Sequence, residues 1–321
     1  MPANSLPPIA VLGLGTMGHG IAQAFATVGH CVRCYDADPT ARATVPERVR
    51  ANLQAFAGAG LLPPQNIEPI LDRIHCCPTE AEAVADVMMV TEAVKEDLVV
   101  KQELLTRLES LVPPSTVLAS NSSTFPISQS GSRLRRPERA LVTHWFNPPH
   151  LVPLVEVVPG PKTDEATVRA TMDLLRRIGK QPLRLRKELP GFLVNRIQVA
   201  VMREVWDLLE QGVASPEEID DAVRSSIGFR LAAVGPLEVH DFGGLDIQTT
   251  VYRNLAPWIR SDTEVPALVR TLVAQGHLGA KTGRGFQDYP PERVVERRQR
   301  RDALFLALLK LLYPDSAGGA A

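Results

Sequence analysis

The sequence predicts an α/β protein in which a doubly wound, mostly parallel sheet is followed by a second, all-helical domain. Three observations predict it. Short β-rich runs alternate with helical runs through residues 1–188, the pattern of parallel strands joined by crossover helices. A glycine-rich turn, Gly13-Leu14-Gly15-Thr16-Met17-Gly18, joins the first strand to the first helix. Beyond Lys187-Glu188-Leu189-Pro190-Gly191 the strand signals nearly vanish and helical periodicity takes over. The expected domains are therefore 1–188 and 189–321.

The apolar run Ile9-Ala10-Val11-Leu12 is the first strand, and the helix after the glycine turn extends to about Val28. Residues 31–35 form the second strand, which ends on Asp36, 23 residues after Gly13. Strand, turn, helix and acid in this order make the fingerprint of a Rossmann-type dinucleotide-binding unit. Gly13 permits the tight turn, Gly15 lets a pyrophosphate approach the backbone, and Gly18 allows close helix–strand packing. The helix start beside Thr16 and Met17 offers unpaired N–H groups and a positive dipole end to the phosphates. Asp36 can accept hydrogen bonds from both ribose hydroxyls and would repel a 2′-phosphate. No base follows directly in Ala37-Asp38-Pro39, so the expected cofactor is NAD rather than NADP.

Helical segments follow at 39–57 and 63–71, joined by Gly58-Ala59-Gly60. Further strands are expected at 73–76, 87–91, 117–119, 141–143, 152–158 and 182–186, with helices at about 95–111 and 164–178. The second domain reads as helices at 192–210, 216–225, 245–259, 265–274 and 292–312. Their Val, Leu, Ile and Trp content is high for so small a domain, which predicts burial against a second subunit in a homodimer. The Gly-Ala tail at 318–321 is expected to be disordered.

Of the 321 residues, 45% are hydrophobic and 22% charged, with a net charge of −1, so no large field points toward nucleic acid or a membrane. No window reaches the ~18 consecutive apolar residues of a membrane span. Met1-Pro2-Ala3-Asn4 lacks the basic start of a signal peptide. Four cysteines predict a reducing compartment, taken as the cytoplasm. Cys31 and Cys34 would point to opposite faces of one strand. Cys76 and Cys77 lack a set of partner ligands, so no metal is assigned.

His144 ends a predicted strand and so faces the ligand crevice at the carboxyl edge of the sheet. Glu156 lies in the next strand, inside Leu154-Val155-Glu156-Val157-Val158, where a lone buried carboxylate would be costly. Such a pair forms either a general base or an ordinary core hydrogen bond. As a base, Glu156 fixes the tautomer and steadies the imidazolium while His144 takes a hydroxyl proton. Beside NAD, the matching reaction is oxidation of a secondary alcohol. His150 competes for this role, but no carboxylate stands in the same relation to it.

The motifs His144-Trp145-Phe146-Asn147-Pro148, Leu154-Val155-Glu156-Val157, Ala119-Ser120-Asn121-Ser122-Ser123, Pro190-Gly191-Phe192-Leu193-Val194-Asn195-Arg196 and Lys281-Thr282-Gly283-Arg284-Gly285-Phe286 together resemble the 3-hydroxyacyl-CoA dehydrogenase family. The resemblance runs from Ile9 to Tyr289. It implies that His144 is the base and Glu156 its orienting acid, and that Ser123 and Asn195 hydrogen-bond the reacting oxygen. It also implies that Glu96, Lys101, Ser123, Asn147 and Lys281 contact the dinucleotide. For Glu96 and Lys101 the ordinary alternative is a solvated helix face.

Two features depart from the acyl-CoA members. Residues 37–71 are compact and lysine-free, with Arg42, Arg48 and Arg50 set against Asp38, Glu47 and Glu68. The loop Gly228-Phe229-Arg230-Leu231-Ala232-Ala233-Val234-Gly235-Pro236 resembles the branch that handles free hydroxy acids, such as L-gulonate, carnitine and pyridine-carboxylate dehydrogenases. Arg230 could grip a substrate carboxylate through two parallel hydrogen bonds, or form an ordinary interdomain salt bridge. The larger share of the family uses acyl-CoA, so an L-3-hydroxyacyl-CoA such as 3-hydroxybutyryl-CoA is placed first and a free hydroxy acid close behind. A third reading is a non-enzymatic, dinucleotide-binding structural protein, as lens crystallins of the family partly are. The intact set His144, Glu156, Ser123 and Asn195 argues against it.

Overall fold

A computed structural model describes residues 6–314. Its sheet has eight strands: β1 (Ile9–Leu12), β2 (Val32–Tyr35), β3 (Ile74–Cys76), β4 (Met89–Glu92), β5 (Val117–Ser120), β6 (Ala140–Trp145), β7 (Leu154–Pro159) and β8 (Gln181–Arg184). They lie in the order β3-β2-β1-β4-β5-β6-β7-β8. Neighbours run parallel except β6 and β7, which are antiparallel. The strand order reverses between β1 and β4, which is where such sheets open a ligand crevice at their carboxyl ends.

β1 shows why the sheet is covered on both sides. Ile9 and Val11 face one apolar core, while Ala10 and Leu12 face the other, as the two-residue period of a strand requires. The first core takes Ile21 and Phe25 from helix Gly18–Thr27, Val49 and Leu53 from Val45–Gly58, and Leu174 and Leu175 from Glu165–Arg177. The second takes Leu104, Leu105 and Leu108 from helix Leu98–Leu111.

Some boundaries differ from expectation. The helix expected over 39–57 is two, Pro39–Ala43 and Val45–Gly58. Pro46 has no N–H for an interior helical bond, so it fits only in a first turn, and a new helix starts there. Residues 63–71 divide likewise into a 3-10 turn, Pro64–Asn66, and a short helix, Ile67–Leu71. Helix Glu80–Val84, capped by the Thr79 hydroxyl, and helix Pro236–Gly243 carry too few periodic apolar residues to be read from sequence.

The chain forms two compact units. One comprises the residues up to Leu193 together with those from Gln299 onward, and the other is Val194–Arg298. The segment 189–193, placed by its composition at the head of the second domain, belongs to the first unit. There the Gly191 N–H donates to the Thr124 carbonyl (3.4 Å) and Phe192 is buried. The far half of helix Pro291–Leu312 also belongs to the first unit and buries Leu306 and Leu309.

The second unit is helical. The Arg230 segment, expected as a loop, is instead a π-helical turn, Arg224–Gly228, running into helix Phe229–Leu231. None of the helices lying wholly within this unit buries a residue. Phe229 is 76% exposed and Trp258 83%. The expected amino-terminal feature at residues 1–4 and the tail at 318–321 lie outside the described residues. Among the described residues, no helix is long and apolar enough to cross a membrane.

Candidate active site

The glycine turn leaves β1 beside the end of β4. Gly13 adopts φ +88°, and a Cβ there would come within 2.6 Å of the Ala93 backbone, while one on Gly18 would collide with the Gly13 carbonyl. Gly15 is the opposite case, because nothing lies within 4 Å of the place its Cβ would take. The turn is thus closed behind and open in front, where a phosphate can approach. The first turn of helix Gly18–Thr27 holds no acid and no side-chain cap, so neither competes there with an anion. Asp36 is already oriented: its carboxylate accepts from the N–H groups of Leu14 (2.6 Å) and Asp38 (2.9 Å). These residues fit a dinucleotide with unsubstituted ribose.

Sequence reasoning took Arg48 only as one of three arginines balanced by nearby acids. Its guanidinium donates to the carbonyls of Leu14 (2.5 Å) and Gly15 (3.1 Å), bracing the turn. Arg42 donates to the Asp36 carbonyl and lies over the Tyr35 ring. Of the three arginines expected to be balanced by nearby acids, only Arg50 pairs with one of them, Glu68.

Antiparallel pairing of β6 with β7 sets His144 directly opposite Glu156. Opposed residues project to the same face, and His144 Nδ1 lies 2.8 Å from Glu156 Oε2 with both side chains buried. The carboxylate accepts a hydrogen bond from Nδ1–H, which leaves Nε2 as the basic nitrogen. The other Glu156 oxygen accepts the Leu193 N–H (3.1 Å). The rings of Phe146 and Phe192 flank the imidazole at 4.5 and 5.4 Å. Among the described residues, His150 has no carboxylate on its ring. Its Nδ1 stands 3.5 Å from the Asn52 amide nitrogen, and burial, with the charges of His19, Lys180 and Arg301, pushes it down to about 3. A group so weakly basic is a poor proton acceptor at neutral pH.

β5 runs beside β6, and the serine turn leaves its carboxyl end next to that of the His144 strand. The Asn121 side chain accepts the Trp145 N–H (2.9 Å), fastening the turn to that strand. Glu96 Oε1 accepts from Ser122 Oγ (2.7 Å) and from Ser123 N, Thr124 N and Thr124 Oγ1 (2.9 Å each). Lys101 is fully buried, so the solvated helix face considered for it does not hold. Its ammonium contacts both oxygens of Glu92 (2.9 Å) and Glu96 Oε2 (3.3 Å). Glu92, at the end of β4, also accepts from Ser120 Oγ and was not anticipated from sequence. Burial raises Glu92 above its ordinary range, and Lys101 and Ser120 only partly oppose this. Burial also acts to raise Glu96, but the Ser122 bond, the Lys101 charge and the Thr124 donors together hold it below its usual value.

Asn147 is exposed, two residues beyond the end of β6. The remaining expected site residues are carried by the second unit. Asn195 is the second residue of helix Val194–Glu210, Arg230 is the middle residue of Phe229–Leu231, and Lys281 lies in the 3-10 turn Ala280–Thr282. Arg224, Arg260 and Arg284 pair with acids of their own unit. Arg230 itself is exposed.

Two family descriptions match the chain: 3-hydroxyacyl-CoA dehydrogenase, NAD binding domain, over residues 8–189, and 3-hydroxyacyl-CoA dehydrogenase, C-terminal domain, over 191–289. The 5-formyl-3-hydroxy-2-methylpyridine 4-carboxylate 5-dehydrogenase of Mesorhizobium japonicum is 33% identical over 316 residues, covering 95% of this chain and 97% of that protein. The probable 3-hydroxybutyryl-CoA dehydrogenase of Bacillus subtilis is 35% identical over 283 residues, covering 88% of this chain and 96% of that protein. A crystal structure of the pyridine-carboxylate 5-dehydrogenase, described as an NAD+-dependent dismutase, superposes with a TM-score of 0.89 at 32% identity. It covers 96% of this chain and 98% of that one.

Proposed function

The chain belongs to the 3-hydroxyacyl-CoA dehydrogenase family, and from that premise we propose that it oxidises the hydroxyl of a small hydroxy carboxylic acid, with His144 as the base. The buried His144–Glu156 pair, 2.8 Å apart at the crevice edge of the sheet, carries the proposal. NAD would supply the hydride acceptor for the alcohol carbon. Gly13, Gly15, Thr16, Met17, Gly18 and Asp36 would hold its adenosine and pyrophosphate, and Asn147, Ser123 and Lys281 would serve its other half. His144 Nε2 removes the hydroxyl proton, and the Glu156 carboxylate offsets the charge that then sits on the ring. Ser123 and Asn195 donate hydrogen bonds to the oxygen as it becomes a carbonyl.

One observation favours a free acid over a thioester: Arg230, in helix Phe229–Leu231, offers an exposed guanidinium whose fork matches a carboxylate. A 3-hydroxyacyl-CoA is the second reading, favoured by the family descriptions themselves. Cofactor reduction measured across free hydroxy acids and their CoA thioesters separates the two. The four free cysteines support a reducing compartment, the cytoplasm.

NAD should bind more tightly than NADP, because the oriented Asp36 carboxylate repels a 2′-phosphate. Asp36→Ala removes the ribose contact and the repulsion together and leaves Arg42 and Arg48 in place, so it should narrow the gap. Dissociation constants for both cofactors test this, and equal or tighter NADP binding by the unaltered protein would refute it.

The working assembly is a homodimer formed through the second unit. A set of helices that buries none of its own residues while exposing Phe229, Leu237, Phe242 and Trp258 requires a partner surface, and two-fold pairing is the commonest way to supply one. Light scattering at micromolar concentration should give twice the chain mass. A monomer mass would defeat the assignment.

A further inference from the structure

We propose that a groove at the amino ends of β5 and β6 binds a small anion with at least two negative groups, either a pyrophosphate or a polycarboxylate. The groove has a volume of about 660 Å³, within the range of small-molecule sites. It runs between the second half of helix Leu98–Leu111 and the arginines of segment 133–139. Because β5 and β6 are parallel, both amino ends lie on the edge of the sheet opposite the crevice. Arg139 directly precedes β6, and His144 is the fifth residue of that strand. At ~3.3 Å per residue the two stand roughly 16 Å apart. The groove is separate from the catalytic site.

Five arginines line it, Arg107, Arg133, Arg135, Arg136 and Arg139, against two acids, Glu103 and Glu109. Arg139 sets the place apart from a solvated charged face, because it is only 5% exposed. Its guanidinium is fixed by main-chain carbonyls. One Nη donates to Pro113 and Thr116, and the other donates to Glu109 (3.2 Å). Its Nε is buried without a hydrogen-bond partner among the described residues. Burial holds Arg139 below the usual arginine range, and the charges of Glu109 and Glu138 offset this only in part. A cation in that position is short of negative charge.

The neighbouring acids are occupied elsewhere. Both oxygens of Glu109 accept main-chain N–H groups, those of Arg135 (3.0 Å) and Arg136 (2.8 Å). That carboxylate therefore shapes the turn that carries the arginines. Glu80 and Glu138 engage Arg107 and Arg136, while Arg133 and Arg135 are exposed. An arginine fork grips a phosphate or a carboxylate through parallel hydrogen bonds. Two such forks beside a buried, under-neutralised charge call for more than one negative group. Among the described residues the apolar lining is Val112 and Pro114, which suits a compact polar ion rather than an aromatic or acyl ligand.

The test is calorimetry on the full-length protein saturated with NAD, so that pyrophosphate cannot enter the glycine turn. Pyrophosphate, citrate and acetate are titrated into the unaltered protein, Arg133→Ala/Arg135→Ala and Arg133→Lys/Arg135→Lys. Pyrophosphate or citrate should bind, and the better of the two identifies the anion class. In the alanine pair its affinity should fall about tenfold or more, the scale of one charge-assisted contact. The lysine pair should recover part of the loss, since it keeps the charge without the fork. Added sodium chloride should weaken the binding, and kcat/KM of the alanine pair should match that of the unaltered protein. Absence of binding by both pyrophosphate and citrate would overturn the proposal. So would equal affinity in the unaltered protein and the alanine pair, or acetate binding as tightly as the multiply charged ions.

Discussion

Replacing His144 by Gln is expected to lower turnover by about 10²–10⁴-fold, the usual worth of a positioned general base, while NAD still binds. Glutamine keeps the bulk and a donor toward Glu156 but cannot take a proton. Glu156→Gln should also cripple turnover by a different route. The Leu193 N–H keeps an acceptor, but the imidazolium loses the negative charge that stabilises it 2.8 Å away. The two variants should lose less together than the product of their separate losses, because they disable one device. Steady-state kinetics, with cofactor binding measured separately, checks all of this. Near-normal turnover in His144→Gln would remove the base from the account. His150, held neutral by its buried surroundings, would be the residue to examine next.

The second large effect belongs to Arg230. If a substrate carboxylate pairs with its guanidinium, Arg230→Met removes a charge-assisted contact worth about 1.5–3 kcal/mol, or roughly 10–150-fold in kcat/KM. The loss should appear mainly as a raised KM for the acid, with NAD affinity unchanged, because the residue contributes binding energy rather than chemistry. A thioester presents no charge at that end, so the same change would leave activity on 3-hydroxybutyryl-CoA nearly untouched. Unaltered kcat/KM for the preferred free acid in Arg230→Met would withdraw the carboxylate assignment.

The sheet was largely legible because parallel strands buried on both faces read as continuous apolar runs. β1, Ile9-Ala10-Val11-Leu12, is of this kind. The glycine turn was legible because each glycine answers a separate steric demand. His144 and Glu156 could be paired from sequence because an acid inside an apolar strand has to find a partner. The solvated helix face weighed as the alternative for Lys101 fails, and the sequence carried the signal against it. Lys101, Leu104, Leu105 and Leu108 fall at the spacing of one helical face, and that whole face is buried. Glu92 gave no such sign, since an acid closing a strand looks like an ordinary end of one. Its role depends on Ser120 and Lys101, brought beside it only by folding. The boundary after residue 188 followed a change in composition. The chain instead keeps to the first unit through Phe192, which packs on the His144 ring at 5.4 Å with φ +54°. Neither packing nor backbone conformation of that kind is written in composition.

The most direct test of the central claim is the rate at which the purified protein reduces NAD across a panel of free hydroxy carboxylic acids and the CoA thioesters of 3-hydroxy acids, read as absorbance of the reduced cofactor. The account predicts reduction of NAD by at least one free hydroxy acid, much weaker reduction with NADP, and loss of the signal in His144→Gln. Reduction with thioesters alone would contradict the substrate assignment, and no reduction by any member of the panel would contradict the assignment of a catalytic role.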